Sequence, residues 1–494
     1  MLLHWKATDE EKEKKGFTVI NMKNEFLWST KVSETSCYDV VVAGGGPAGC
    51  AAAIAAARSG MKTLLLEVNG CAGGTSTAGA LPFILGYRNG SIPFPHMIKQ
   101  GLAYRDLPRP RKAVGGIFEE MMNRIKAQNG GVGPCVLAQT DKYPGLDRLG
   151  CHDEFTFDLE TGKRVLDEML TEAGVTIRYY ARVIGAKRTD NRVDGVYFAD
   201  KSGISYAAAK AVIDCTGDAD VADQAGFATY KGDKVTGEMT GVNLVAHIEN
   251  IDAGAIESYL KEGKDPWFRE LCGQAIAEHP DLDLPDLLIL FPMVQDGVFM
   301  INGGTGFSGY DGTNGEDMTQ MTLRGRKRAE LLTEVLFRHY IPGAQNCRLR
   351  LTAAYPGVRE TRRIISERAL TEEDLLNGTV FEDTIALAGR HFDLYRKSGQ
   401  PFADAHRSVK NGITAIPYRS MIPKGAENLI AAGRCIEAEG QALGPVRIMS
   451  TCFALGQAAG EAAGMKVSSG VAFQEVDVAL LRTRLRQNGA EIDV

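Results

Sequence analysis

At 494 residues the chain is longer than one ordinary domain of ~100–200 residues, and its composition, 44% hydrophobic and 24% charged, is that of a soluble globular protein with a sizeable core. A net charge of −6 provides no global positive field to attract a phosphate backbone or an anionic bilayer, which excludes nucleic acid and membrane as default partners.

Residues 6 to 15, KATDEEKEKK, read as a charged, frayed or helical start inside an N-terminal extension of residues 1–35, not as a secretory signal. The ten cysteines are scattered, with no C-x-x-C pair and no Cys/His cluster at zinc spacing, which predicts free thiols, a reducing cytoplasmic setting and no metal. Val40 to Ala57 carries no charge, yet glycine, proline and alanine dominate it, so it does not read as a membrane span. From Tyr38 the order is YDVVVA, GGGPAG, CAAAIAAARSG and MKTLLLE: strand, glycine turn, small-residue helix and strand, a βαβ unit buried on both faces. An excursion covers about 82–150. Then TGKRVLDEMLTEAG puts Val165, Leu166, Met169 and Leu170 on one helical face and stops at Gly174. VTIRYYARVIGAKR predicts a strand pair, and RVDGVYFAD, KSG and ISYAAAKAVIDCTGD an antiparallel meander returning to the main sheet.

The character changes at 231–410, where acidic helices, a Gly-rich loop (NGGTGFSGYDGTNGED) and the basic helix TLRGRKRAELLTEVLFRHY predict an inserted α+β substrate or cap domain. NLIAAGRC and RIMSTCFALGQAAGEAAG then return to strand, glycine turn and a close-packing helix. The expected organisation is an α/β Rossmann-like domain of 36–230 and 411–466, a parallel sheet plus a small meander, interrupted by 231–410 and followed by a tail of 467–494.

Gly44-x-Gly46-x-x-Gly49 lies between a strand and a helix, and Glu67 ends the next strand. Gly44 permits the tight turn, Gly46 the approach of a pyrophosphate and Gly49 helix packing, while the helix opening at Pro47 offers unpaired N–H groups from Ala48 onward to the anion and Glu67 meets an adenosine ribose. That motif suits FAD and NAD alike. The second loop, Gly73-Gly74-Thr75, so close to the ribose acid, suits a longer ligand that folds back along the sheet, and so predicts FAD.

Residues 38 to 77 resemble the FAD-binding start of the flavoprotein superfamily that includes glutathione reductase and the fumarate reductase flavoprotein. The resemblance implies that YARVIGA is the adenine-side strand, with Val183 meeting adenine through its backbone, and that VIDCTGDADVA turns at Gly217 and Asp218. More narrowly, 355–378, 414–440 and 446–463 resemble the bacterial FAD-dependent oxidoreductase family, with coverage of about 36–466. Membership implies non-covalent FAD, with Gly433 and Arg434 by the ribityl chain and Met449, Ser450 and Thr451 pointing a helix start at the flavin's pyrimidine edge.

The activity so implied is hydride transfer between a small polar organic substrate and flavin N5, with quinone, oxygen or a protein as electron partner. A non-redox hydratase or isomerase and a tRNA-modifying flavoprotein, which shares the GGGPAG start, are the alternatives; a homo-oligomer is compatible with all three. The basic run Arg359, Arg362, Arg363, Arg390-His391, His406-Arg407 and Tyr418-Arg419 supplies the candidate catalytic groups: Arg359 or Arg362 to grip the substrate, and His391 or Tyr395 to carry the proton. The bland alternative for RETRR is a solvated helix with ion pairs to Glu360 and Glu367. Where relatives tend to read Asp-x-His, this chain reads Asp393-Leu394-Tyr395. Cys71 and Cys215 read as small buried thiols.

Overall fold

The computed structural model describes residues 2–3, 28–29, 32, 34–89, 111–133, 142–149, 155–303, 306–394 and 408–494. Tyr395, His406 and Arg407, with most of the N-terminal extension and part of the 82–150 excursion, lie outside the described residues.

The βαβ unit forms from β1 (Glu34–Ala43), α1 (Pro47–Arg58) and β2 (Thr63–Leu66). Val40, Val41, Val42, Leu64, Leu65 and Leu66 are all buried, which is why these strands read as continuous apolar runs instead of alternating. Helix α2 (Leu159–Glu172) is capped by Asp158, whose carboxylate accepts from the Thr161 N–H, and it buries Val165, Leu166, Met169 and Leu170; Gly174, at φ +83°, follows its end. Next come β3 (Thr176–Arg178), β4 (Arg182–Thr189), β5 (Arg192–Asp200), β6 (Gly203–Asp214) and α3 (Asp220–Gln224).

Together with β12, described below, these strands make a seven-stranded sheet in the order β3-β2-β1-β6-β5-β4. Pairs along β3, β2, β1 and β6 are parallel, whereas β6-β5-β4 is an antiparallel meander. The strands of VTIRYYARVIGAKR both form but do not pair with each other: β3 joins β2 at one edge of the sheet and β4 joins β5 at the other. Tyr180, at φ +57°, turns the chain between them.

A second sheet, order β8-β9-β7-β10, is wholly antiparallel and consists of β7 (Ala246–Glu249), β8 (Ile289–Pro292), β9 (Phe299–Gly303) and β10 (Arg348–Thr352). Helix α4 (Gly315–Leu331) covers part of the basic run read as helical, and Asn314 caps it through its side-chain oxygen. The apolar core of this unit draws on residues 242–353 with Ala80, Phe83, Leu146 and Leu149, while Ile364, Leu370, Leu387, Phe392 and Ile416 belong to the core of the main sheet. We propose 354–361 as the segment in which the chain returns from one unit to the other.

After β11 (Arg362–Ile364), strand β12 (Leu429–Ala431) adds to β6 in parallel. Helix α5 (Met449–Ser469) then lies against α1. Its glycines allow the contact: a Cβ at Gly456 would stand 2.0 Å from the Ala48 carbonyl oxygen, one at Gly460 2.4 Å from that of Ala52, and one at Gly464 2.8 Å from Ser59 Cβ. Helix α5 is thereby fixed on the helix that opens at the glycine turn. No described helix is long and apolar enough to cross a membrane.

Candidate functional site

Four turns meet at the ends of β1, β2, β6 and β12. At the first, Gly44 takes φ +94°, and a Cβ there would stand 2.4 Å from the Cys215 carbonyl oxygen. A Cβ on Gly49 would lie 1.7 Å from the Gly44 carbonyl oxygen, so the helix can start this tightly only with glycine. Gly46 differs: its φ is −70°, which any residue adopts, and a Cβ there would meet nothing within 4 Å. This space lies at the N-terminus of α1, beside Pro47 and Ala48, where no side chain caps the helix and the first turn holds no acid.

Glu67 ends β2 almost wholly buried. Its carboxylate accepts the Gly45 N–H at 2.6 Å and, from Asn69, the backbone N–H at 2.7 Å and the side-chain amide at 2.6 Å. Burial pushes its carboxyl above the usual value, against the pull of these donors. The chain entering β4 runs alongside, Ala181 donating its N–H to the Glu67 carbonyl at 2.9 Å, which brings half-buried Val183 to this side.

The second loop closes over the first. Gly73 donates its N–H to the Gly45 carbonyl at 2.8 Å, and a Cβ on Gly74 would lie 2.8 Å from Gly46 Cα and 3.5 Å from the Tyr355 hydroxyl. That hydroxyl hydrogen-bonds the Thr75 side chain, and burial pushes the phenol up. Tyr355 opens the segment 355–378 that resembles the oxidoreductase family, and no motif singled it out. Cys71 is half-buried, its Sγ 3.8 Å from Thr77 Oγ1, and Cys215 is buried. His247 of β7 lies 2.8 Å from the Ala80 carbonyl oxygen; burial holds its pKa down at about 4, so the neutral ring donates its Nε2–H and ties the second sheet to this loop.

At the third turn, buried Asp214 accepts from the Thr216 N–H at 3.1 Å, the Thr216 hydroxyl at 2.7 Å and the Ala222 N–H at 3.0 Å, which shapes Gly217 (φ +81°) and the start of α3. Asp218 accepts from Arg434 Nη1 at 2.7 Å and from the Thr361 hydroxyl. Burial pulls the Arg434 pKa down, but the Asp218 carboxylate outweighs it and the net shift is upward. Gly433, at φ +93°, brings this fourth turn against α1: its Cβ would lie 3.1 Å from Ala48 Cβ and 3.8 Å from Cys452 Sγ.

Burial lifts Asp214 from 3.8 to about 6. The folded chain therefore holds a proton there that the unfolded chain releases, and the stability so gained is complete below 3.8 and lost as pH rises through about 6. The stability of the parent minus that of Asp214→Asn should fall across that window, by at most about 3 kcal/mol, and then stay level. A difference independent of pH in denaturant melts would refute this.

RETRR is not helical, and Glu360, Thr361 and Arg363 in it are buried. Arg363 and Glu360 form a buried ion pair at 2.6 Å, Arg363 also donates to the Gly232 carbonyl and stacks 4.7 Å from the Tyr230 ring, and Glu360 accepts from the Thr240 N–H and hydroxyl. Arg362 is consumed by the acidic turn: Nε donates to the Asp218 carbonyl at 2.8 Å, Nη2 to Asp220 at 2.8 Å and Nη1 to Asp223. Arg359 donates to the Gly241 carbonyl at 3.1 Å. Arg419 pairs with Asp383 at 2.9 Å, away from the four turns.

His391 is buried in the segment 389–394, which reaches the start of α5. A Cβ on Gly86 would lie 3.0 Å from Ser450 Oγ and 4.0 Å from Arg390 Cβ, and one on Gly444 2.7 Å from the Asp393 nitrogen. Ser450 donates to the Leu85 carbonyl at 2.5 Å and Thr451 to that of Pro445 at 3.1 Å; Met449 opens the helix with no side-chain cap. The structure thus joins the glycine turns, Glu67, the Asp218–Arg434 pair and the α5 start, and ties the segment holding His391 to Arg447, just before that start, through the Asp393 carbonyl. Arg447, beside it, had no place in the sequence reading.

The tRNA uridine 5-carboxymethylaminomethyl modification enzyme MnmG of Lactobacillus johnsonii is 30% identical over 165 residues, 31% of this chain and 24% of that one. The Bacillus cereus MnmG is 30% identical over 141 residues, 28% and 20%. The matches thus span about a quarter of these relatives or less. Among solved structures, a geranylgeranyl bacteriochlorophyll reductase-like protein of Thermoplasma acidophilum (15% identity, TM-score 0.44, 92% of this chain and 84% of that one) and p-nitrophenol 4-monooxygenase of Pseudomonas putida (13%, 0.43, 89% and 82%) are similar over most of their length. The profile of the FAD dependent oxidoreductase family matches residues 39–485, most of the chain. The chain belongs to the FAD dependent oxidoreductase family, and FAD is its cofactor.

Proposed function

We propose that this enzyme moves a hydride between a small polar organic substrate and FAD, with the substrate lying between the start of α5 and the segments 355–361 and 389–394. The observation that carries the reading is that one helix, α5, joins the two halves: it packs on α1 where the glycine turn opens, and Arg447, two residues before its first turn, donates to the Asp393 carbonyl in the segment holding His391. Bound FAD would supply the two-electron centre at N5.

The chain's own residues divide the remaining work. The open space at Gly46, with the α1 N–H groups of Ala48 and Gly49 behind the turn at Gly44 and Pro47 opening the helix, fits the pyrophosphate, and Glu67 the ribose. Val183 would meet adenine through its backbone. Gly73, Gly74 and Thr75 cover the groove, Gly217 and Asp218 with Gly433 and Arg434 hold the ribityl side, and Met449, Ser450 and Thr451 present a helix start to the pyrimidine edge. Arg359 grips the substrate, while Arg362, with its donors already taken, braces the turn at Asp218. His391 moves the proton; Tyr395, the other proton carrier considered, lies outside the described residues.

Losing a positioned acid or base costs ~10²–10⁴ in rate. His391→Ala and Arg359→Ala should therefore slow anaerobic flavin bleaching by substrate while keeping full FAD content. Parent rates in both would remove these residues from the mechanism. One dinucleotide fingerprint serves one dinucleotide, so NADH and NADPH should bleach the flavin far more slowly than turnover. Stopped-flow reduction by either at the turnover rate would instead assign a pyridine-nucleotide site to the second unit.

The similarity to MnmG favours one other reading, a tRNA-modifying flavoprotein. Retarded migration of tRNA with the holoprotein at physiological salt would support it, against the net charge of −6.

A further inference from the structure

At the start of α5, two arginines are poorly satisfied. Arg447 stands just before the N-cap Ile448, with its side chain 13% exposed. Its Nη2 donates to the Asp393 carbonyl at 2.6 Å and lies 3.9 Å from that residue's carboxylate, while its buried Nε has no partner among the described residues. Arg390 reaches the same carboxylate only at 3.6 Å, and its buried Nε is likewise without a partner there. A third orphan is Gln441 Oε1, whose amide nitrogen donates to the Leu394 carbonyl at 3.1 Å. Folded proteins leave few buried polar atoms unsatisfied, and each costs free energy until something pairs with it.

Among the described residues the two guanidiniums share the Asp393 carboxylate, and Glu360, whose charge Arg447 also feels, is already paired with Arg363, so one positive charge is left over. The first turn of α5 adds a positive helix end with no acid and no side-chain cap. We propose that Arg390 and Arg447 together bind the carboxylate of a small monocarboxylate, the substrate of the flavin site. The Nε edge of a guanidinium presents two parallel N–H groups, the match for the two oxygens of a carboxylate, and the charge count admits one negative charge. Burial pulls the Arg447 pKa down, the mark of a cation held at a desolvation cost that a bound anion would offset. The place is right for a substrate: His391 follows Arg390 in the chain, and Cys452 feels the charge of both Arg434 and Arg447, so the pair adjoins the FAD turn. This inference rests on the proposed function for the identity of the ligand as substrate, but its test does not require turnover.

The test titrates holoprotein with propionate, propionamide and inorganic phosphate while following the flavin's visible band. Propionate should perturb the band saturably, propionamide not at all, and phosphate only more weakly. Arg447→Gln and Arg390→Gln should each weaken propionate by about tenfold or more with FAD content kept, and Arg447→Lys, which retains the charge without the fork, should fall between. The proposal is overturned if propionate leaves the band unmoved, if phosphate binds as tightly, or if the glutamine variants and Arg447→Lys bind as the parent does. It is also overturned if the variants shed FAD while their remaining holoprotein binds propionate undiminished, because the guanidiniums would then serve the cofactor. Propionate binding as expected in a protein whose flavin exchanges electrons with no substrate would contradict the hydride-transfer reading and leave the carboxylate site standing.

Discussion

Gly46→Val should give a folded, colourless protein, and Gly49→Ala should give little folded protein at all. The two glycines belong to one fingerprint, but the structure gives them different work. Gly46 has an ordinary φ of −70° and open space where its Cβ would stand, so the apoprotein tolerates a side chain that fills the space intended for pyrophosphate. A Cβ on Gly49 would stand 1.7 Å from a backbone oxygen that cannot swing aside, so the turn itself must break, at a cost above the ~1–3 kcal/mol of ordinary overpacking. Thermal unfolding and flavin content of the purified variants separate the cases. Full flavin in Gly46→Val, or a parent melting curve in Gly49→Ala, would contradict the assignment.

Arg363→Ala should destabilise the protein by about 3–5 kcal/mol, the scale for removing one partner of a buried pair. Glu360 would be left almost fully buried without the guanidinium it pairs with at 2.6 Å, and the Gly232 carbonyl and the Tyr230 ring would lose their contact as well. Glu360→Gln should recover part of the loss, because a neutral amide there needs no cation. Denaturant melts of the two single variants and the double variant measure the coupling. A loss under about 1 kcal/mol for Arg363→Ala would place the pair with surface ion pairs, which are worth little.

What could be read in the sequence follows from how local each signal is. The glycine turn, Glu67, the apolar face of α2 with its closing Gly174 and the small-residue face of α5 are fixed by neighbours a few positions away, and the local pattern reveals them. The strands on either side of Tyr180 were legible as strands, but the sequence could not tell that they lie on opposite edges of the sheet, because pairing depends on distant partners in β2 and β5. The arginines show the limit most clearly. Arg359, Arg362 and Arg363 look alike within RETRR, yet Arg362 faces three acidic residues some 140 positions earlier and Arg363 a carbonyl 131 positions away. Arg447 carried no signal beyond its place before a helix start; only the orphaned Nε and the shared Asp393 single it out.

The central claim is that the enzyme's turnover is a two-electron exchange with its FAD. A single anaerobic turnover of holoprotein with a substrate identified by screening compounds for a change in the flavin's visible band, quantifying product per flavin beside that band, tests it most directly. The account expects one equivalent of product per FAD and a complete change of the band, bleaching if the substrate is oxidised and recovery of colour in pre-reduced protein if it is reduced. Product accumulating past one equivalent while the band stays unmoved would contradict it and turn the reading to non-redox use of the cofactor.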